Sequence, residues 1–139
     1  MRVLFDPNII ISALLAPTGA PARVVNAWQH GAFELVVSPL LLAELERALA
    51  YPKLRGRIDR DEAAQVADWL RRSATVVSDP AEPTPPHSAD PGDDYLLALA
   101  ASERAAIVSG DAHLLALADE LPIFSATDVL ALLAGRRRY

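Results

Sequence analysis

The sequence alternates, from end to end, between short apolar runs of strand length and longer stretches with helical periodicity. The runs that we predict as strands are "RVLFD", "FELVVS", "TVVS", "AIVSG" and "PIFS". Strands that alternate with helices in this way predict a mainly parallel sheet covered by helices on both faces. We therefore expect an α/β fold, a three-layer α/β/α sandwich, formed as a single domain by residues 1–139.

Local signals predict where several helices begin and end. Ser38 followed by Pro39 indicates a helix N-terminus, and Gly135 indicates the end of the last helix. The stretch "DAHLLALADE" is expected to be helical throughout. The segment 79–92 holds five prolines and almost no apolar residue, which predicts a surface loop.

Composition limits the chemistry that the chain can perform. With 139 residues, the sequence fits one domain. It contains no cysteine, which excludes disulfides, thiolate metal sites and a cysteine nucleophile. The start "MRVLFDPN" does not resemble a signal peptide, and no stretch approaches the roughly 18 apolar residues that span a bilayer. We expect a cytoplasmic protein without a membrane partner.

The net charge of −5 at first argues against a nucleic-acid partner, because phosphate binding usually needs a basic surface. The basic residues are, however, clustered along the sequence. The candidates for phosphate contacts are Arg55, Arg57, Arg136, Arg137 and Arg138. The alternative is that each of these arginines belongs to solvated surface.

Acidic residues recur at positions that a parallel sheet would bring together. Asp6 and Asp111 each follow a predicted strand, and Asp93 and Asp94 open the helix after the proline-rich loop. On the helix after Pro39, a rotation of about 100° per residue places Glu44 at the flank of the apolar stripe. In parallel sheets the functional crevice lies beyond the carboxyl ends of the strands, so we expect these acids to converge there.

Each acid also has a structural explanation, and the two interpretations compete. Asp6 and Asp111 could cap the helices that follow them, and Glu44 could pair with Arg47 on the surface. Carboxylates brought close together repel one another, however, and a divalent cation relieves that repulsion. Ligands that are all oxygen suit Mg²⁺ or Mn²⁺. The three histidines, His30, His87 and His113, show no ligand spacing.

These motifs, in this order, resemble the PIN domain family, specifically the PIN-domain toxins of bacterial and archaeal toxin–antitoxin pairs (VapC-like). "RVLFD" followed by "PN" is similar to the family's opening strand with D-[ST]-N, and "VVSPLLLAELERAL" to its helix with S-x-x-x-x-x-E. "DPGDDYLLALAA" resembles the second acidic cluster of the family, and "AIVSGDAHLL" its closing [ST]-x-D element. The resemblance covers nearly the whole chain.

The resemblance carries the family's site residues onto this sequence. It implies that the catalytic and metal-binding acids are Asp6, Glu44, Asp94 and Asp111, with Asn8, Asp93 and Ser109 as accessory groups. Asp94 is preferred to Asp93 because Ala98 and Ala101 follow it at the spacing of the family's helix. Two departures are Pro7, where Ser or Thr is usual, and Gly92, where a further acid often stands.

The resemblance also implies an activity and partners. These are Mg²⁺- or Mn²⁺-dependent hydrolysis of RNA phosphodiester bonds, a homodimer, and an antitoxin that blocks the site. Two alternatives stay open: a PIN-like module without activity that only binds a partner, and, less favoured, a receiver-type Mg²⁺-binding domain. The receiver domain needs a lysine after a late strand, whereas Lys53 follows a helix in the middle of the chain. A flap-type DNA nuclease is disfavoured because the chain has no room for further DNA-binding elements.

Overall fold

A central sheet of parallel strands organises the molecule, which was obtained as a computed structural model. The structure describes residues 1–81 and 91–136. Within these ranges the sheet has five strands in the order β3-β2-β1-β4-β5, and all neighbouring strands run parallel. The strands are β1 (Arg2–Phe5), β2 (Glu34–Val37), β3 (Thr75–Val76), β4 (Ala106–Val108) and β5 (Ile123–Phe124). The α/β fold predicted from the sequence is confirmed.

Helices connect the strands throughout the described residues. They are α1 (Pro7–Leu15), α2 (Ala20–Gln29), α3 (Pro39–Leu49), α4 (Arg60–Ser73), α5 (Asp94–Glu103), α6 (Ala112–Leu115) and α7 (Ala126–Arg136). Short 3₁₀ turns precede α4 and α5, at Pro52–Leu54 and Pro91–Asp93. No single helix in the described ranges is long and apolar enough to cross a membrane, and α1 with α2 meets that test only as a pair bent by 106°.

The sheet is buried on both faces. Successive side chains of a strand point to opposite faces, yet Val3, Leu4 and Phe5 of β1 are all buried. The same holds for Leu35, Val36 and Val37 of β2. A strand buried on both sides reads as a continuous apolar run and needs a helical layer above and below it. The three-layer arrangement thus follows from the composition of the central strands.

The strand order reverses between β1 and β4. From β1 the chain moves to β2 and β3 on one side, and from β4 it moves to β5 on the other. Such a topological switch point opens a crevice beyond the carboxyl ends of the two strands. Asp6 directly follows β1, and Ser109 directly follows β4, so both residues lie at this crevice.

The N-terminus of α3 is capped as its sequence predicts, and more fully. The Ser38 hydroxyl accepts from the Leu41 amide at 3.2 Å, and a carboxylate oxygen of Asp79 accepts from the Leu40 amide at 3.0 Å. Two of the amides that a helix N-terminus leaves without partners are satisfied in this way. Asp79 follows β3, so another acid lies near the carboxyl edge of the sheet.

Two predicted helix ends are wrong. The helix expected over "DAHLLALADE" is a single turn, α6, because the amides of Leu117 and Ala118 bond three residues back and tighten the chain into turns. This turn returns the chain to β5 within a few residues. Gly135 does not stop the last helix, since α7 continues to Arg136 and Gly135 does not take a positive φ.

Candidate metal centre

Asp6 is a buried carboxylate at the end of the first strand. Its amide donates to the Val108 carbonyl at 3.0 Å, which continues the pairing of β1 with β4. Its Oδ1 accepts from the amide of Asn8 at 3.1 Å and so caps α1. The capping role considered for Asp6 is therefore present. Only 4% of the residue is exposed, however, and a cap alone does not require such burial.

Ser109 joins Asp6 to Asp111. Its hydroxyl donates to Asp6 Oδ2 at 2.7 Å, and the Ser109 Oγ itself accepts from the Asp111 amide at 3.0 Å. Ser109 is completely buried, and its own amide donates to the Phe124 carbonyl at 3.0 Å. The sheet thus holds this serine rigidly, and the serine in turn fixes the spacing of the two acids.

Asp111 belongs to a compact group with Asp93 and His113. A ligand atom from each of these residues lies within 4.8 Å of the other two. The side chain of Asp111 is 24% exposed, and its Oδ1 accepts from the His113 amide at 2.7 Å, which caps α6. Asp93 closes the 3₁₀ turn before α5 and is half-buried. The 3₁₀ turn before α5 and the residues after β4 therefore meet at the crevice.

The residues of this group fit a divalent cation. Carboxylate oxygens bind Mg²⁺ at about 2.0–2.1 Å, and imidazole nitrogens bind transition ions at a similar distance. Two ligands of one ion are then about 3 to 4 Å apart, which the mutual spacing within 4.8 Å allows after small side-chain movements. Asp6, buried beside Asp111, adds a further negative charge to the crevice.

The pKa of Asp6 reports this environment. Burial raises the pKa above the ordinary value of 3.8, and the negative charge of Asp111 raises it further. The hydrogen bonds from the Asn8 amide and the Ser109 hydroxyl act in the opposite direction but do not cancel the effect of burial. The ionised form of Asp6 is therefore disfavoured, and a bound cation would relieve that penalty.

Glu44 lies at the periphery of this acidic site. It is half-buried on α3, and the guanidinium of Arg47 pairs with it, so the surface ion pair considered from the sequence is present. Its charge nevertheless acts on Tyr95, the second residue of α5. The pKa of Tyr95 is raised above its ordinary value, and burial is the largest cause. The carboxylates that raise the Tyr95 pKa further are those of Asp6, Glu44, Asp93 and Asp79. Tyr95 thus lies within the field of all four acids.

The other predicted site residues take different positions. Asp94 is the first residue of α5 and is half-buried; within the described residues it is not part of the group of Asp93, Asp111 and His113. Its role therefore stays a prediction. Asn8 contributes its backbone amide, and the residue is exposed.

The candidate phosphate-binding arginines are dispersed. Arg57 donates to the carbonyl of Leu15 at 2.9 Å, at the end of α1. Arg55 lines a groove between α3 and α4, where Arg71 is paired with Glu46. Arg136 ends α7, and the predictions for Arg137 and Arg138 lie outside the described residues.

Sequence reasoning missed three residues of this site: His113, Tyr95 and Asp79. A signal existed for Asp79, since it follows a predicted strand just as Asp6 and Asp111 do. The spacing of the histidines among themselves does not single out His113 as a ligand. The relevant spacing is to Asp111, two residues earlier, where the first turn of α6 brings both side chains to one place.

Ser109→Ala should lower the free energy of unfolding by about 1–3 kcal/mol, because the buried Asp6 carboxylate and the Asp111 amide each lose a partner. Urea unfolding in EDTA measures the loss. Ser12→Ala, an exposed change on α1, is the matched control and should stay within about 0.5 kcal/mol of the parent. Equal effects of the two changes would mean that Ser109 does not hold the acids.

Known proteins include a sequence relative of this chain and solved structures with the same fold. The uncharacterized protein MJ1680 of Methanocaldococcus jannaschii is 27% identical over 120 residues, which cover 86% of this chain and 77% of that protein. The crystal structure of PAE2754 from Pyrobaculum aerophilum superimposes with a TM-score of 0.65 at 21% identity, covering 97% of this chain and 90% of that one.

Two toxin–antitoxin structures share the fold. VapBC2 from Rickettsia felis, bound to a DNA fragment from its promoter, has a TM-score of 0.62 at 13% identity and covers 90% of this chain and 98% of that one. VapBC-1 from nontypeable Haemophilus influenzae has a TM-score of 0.61 at 16% identity, and the match covers 91% of this chain and 99% of that one. The family described as PIN domain matches residues 2–113. Since that match takes in most of the sequence, the chain belongs to the PIN domain family.

Proposed function

We propose that this chain is a single-domain, divalent-metal-dependent ribonuclease, the toxin component of a toxin–antitoxin pair. The observation that carries the proposal is the meeting of Asp6, Asp93 and Asp111 at the switch point between β1 and β4. Membership of the PIN domain family supports a nuclease, and the shared fold of the two VapBC structures supports a toxin.

The residues of the crevice have separate tasks in this proposal. Asp93 and Asp111 are the ligands best placed to share a cation, and Asp6 adds the charge that favours one. Ser109 keeps Asp6 and Asp111 at a fixed spacing. Glu44 borders the crevice and would hold a second ion or a water near the scissile phosphate.

The cofactor of the reaction is Mg²⁺ or Mn²⁺. When bound, the ion supplies an acidified water at neutral pH and positive charge toward the phosphate. The carboxylates need no special basicity of their own, because they act as ligands and not as proton acceptors. The burial of Asp6 and Ser109 at the end of the sheet pre-organises the site, which lowers the cost of arranging charge around the phosphate.

The partners follow from the same interpretation. The substrate is RNA, with Arg55 and Arg57 and the C-terminal Arg136, Arg137 and Arg138 as candidate phosphate contacts. The two VapBC structures are toxin–antitoxin complexes, which supports a cognate antitoxin for this chain. A homodimer located in the cytoplasm completes the proposal.

Incubation of the purified protein with single-stranded RNA tests the proposal. Cleavage that needs Mg²⁺ or Mn²⁺, stops in EDTA and spares DNA of the same sequence is the expected result. A protein that folds and binds Mn²⁺ but cleaves neither nucleic acid would favour the alternative, a PIN module that only binds a partner.

Asp93→Ala and Asp94→Ala together test the register of the second acidic cluster. The sequence resemblance favours Asp94 as the ligand, whereas the geometry favours Asp93, whose carboxylate lies near the carboxylate of Asp111 and the imidazole ring of His113. We expect Asp93→Ala to weaken Mn²⁺ binding about tenfold or more, and Asp94→Ala to weaken it less. Calorimetric titration measures both, and the reverse order would restore Asp94 as the ligand.

A further inference from the structure

We infer that His113 supplies a nitrogen ligand to the cation and makes the site prefer Mn²⁺ over Mg²⁺. This inference rests on the proposed metal-dependent function and adds a residue that the acidic motifs of the sequence do not contain. In this inference a single histidine determines the selectivity of the site for Mn²⁺ over Mg²⁺.

The position of the ring carries the inference. The His113 amide donates to Asp111 Oδ1 at 2.7 Å, and this bond holds the start of α6 against the acid. The ring nitrogen Nδ1 then lies 3.6 Å from the same oxygen. A distance of 3.6 Å is too long for a hydrogen bond but suits two atoms that bind one ion from adjacent positions.

The third member of the group, Asp93, belongs to a different element of the fold. Asp93 comes from the turn before α5, and its ligand atom lies within 4.8 Å of those of Asp111 and His113. The side chain of His113 is 57% exposed, so the ring is able to turn toward an ion without repacking the core. Two carboxylates and one imidazole, from two separate elements, therefore offer ligand atoms within 4.8 Å of one another.

Ligand chemistry gives the expected selectivity. Carboxylates suit both Mg²⁺ and Mn²⁺, but Mg²⁺ is a hard ion that keeps several waters, so an added nitrogen ligand favours the transition ion Mn²⁺ over Mg²⁺. Without His113 the set would consist of oxygen ligands alone, which suit either ion. A nitrogen in the set raises the affinity for Mn²⁺ and contributes little to the binding of Mg²⁺.

Calorimetric titration of the full chain with MnCl₂, and separately with MgCl₂, tests the inference without any nuclease assay. We expect His113→Ala to weaken Mn²⁺ binding about tenfold or more and to change Mg²⁺ binding by less than about threefold. The matched control is His30→Ala, since His30 precedes β2 and so lies at the opposite edge of the sheet. This control should leave both affinities unchanged.

Electron spin-echo spectroscopy of the Mn²⁺-loaded protein gives a second, direct reading. A nitrogen coupling in the parent that persists in His30→Ala and vanishes in His113→Ala would show the imidazole on the ion. Circular dichroism of each variant confirms that the fold is kept, since the backbone bond from residue 113 to Asp111 does not need the ring.

The outcomes separate the inference from the proposed function. A parent that binds Mn²⁺ with no nitrogen coupling, and with the same ratio of Mn²⁺ to Mg²⁺ affinity after His113→Ala, overturns the role of His113 and leaves the carboxylate site intact. A parent that binds neither ion overturns both.

Discussion

Asp111→Asn is expected to lower metal-dependent cleavage of RNA by at least about a hundredfold. Loss of an outer partner of a metal site typically costs ten- to a hundredfold, and a ligand should cost no less. Asparagine keeps the side-chain oxygen that accepts from the His113 amide, so the cap of α6 survives. The substitution thus removes the charge of Asp111 and leaves its structural role.

The measurement is the initial rate of RNA cleavage at saturating Mn²⁺. Asp128→Asn is the matched control, because Asp128 is an exposed acid in the first turn of α7. It should cleave like the parent. If Asp111→Asn also cleaves like the parent, Asp111 is not a ligand, and the site would have to be built around Asp6 and Glu44 instead.

The layers of the fold, and the edge of the sheet at which Asp6 and Asp111 lie, were predictable from the sequence. Continuous apolar runs indicate strands that are buried on both faces, and parallel strands direct Asp6 and Asp111 to one edge. Ser38 and Pro39 likewise predict the start of α3, because their effects act within one helical turn.

What could not be predicted depends on contacts between distant segments. The helix expected after Asp111 shortens to one turn because the chain must return to β5, a tertiary demand that overrides local propensity. The choice between Asp93 and Asp94 depends on how the turn before α5 meets the end of β4. Neither effect can be predicted from a short stretch of consecutive residues.

Excess Mn²⁺ is expected to raise the melting temperature of the parent by roughly 8 °C relative to EDTA. An ion that binds only the folded state at about 100 times its Kd adds about 2.7 kcal/mol, and a domain of this size gains about 3 °C per kcal/mol. Asp111→Asn should reduce the shift, because the site loses a ligand of the group around the ion. Asp6→Asn should reduce it too, because the crevice loses a buried negative charge.

The same melts in EDTA distinguish a ligand from a helix cap at Asp6. Burial raises the pKa of Asp6, so the folded state binds this proton more tightly than the unfolded state does. The stability that this proton contributes is complete below pH 3.8 and is lost as the pH rises through the raised pKa. At pH 7 without metal, Asp6→Asn should therefore melt above the parent, and this advantage should shrink in acid.

A cap alone predicts the opposite pattern. Asp6→Ala would then cost about 1 kcal/mol with or without metal, and Asp6→Asn would change little. Differential scanning calorimetry of the parent, Asp6→Asn, Asp6→Ala and Asp111→Asn, each in EDTA and in excess Mn²⁺, distinguishes the two interpretations. If the parent melts at the same temperature in both buffers, Asp6 acts only as a helix cap. If Mn²⁺ raises the melting temperature of the parent and raises that of Asp6→Asn by less, the carboxylate at the end of the first strand contributes to ion binding.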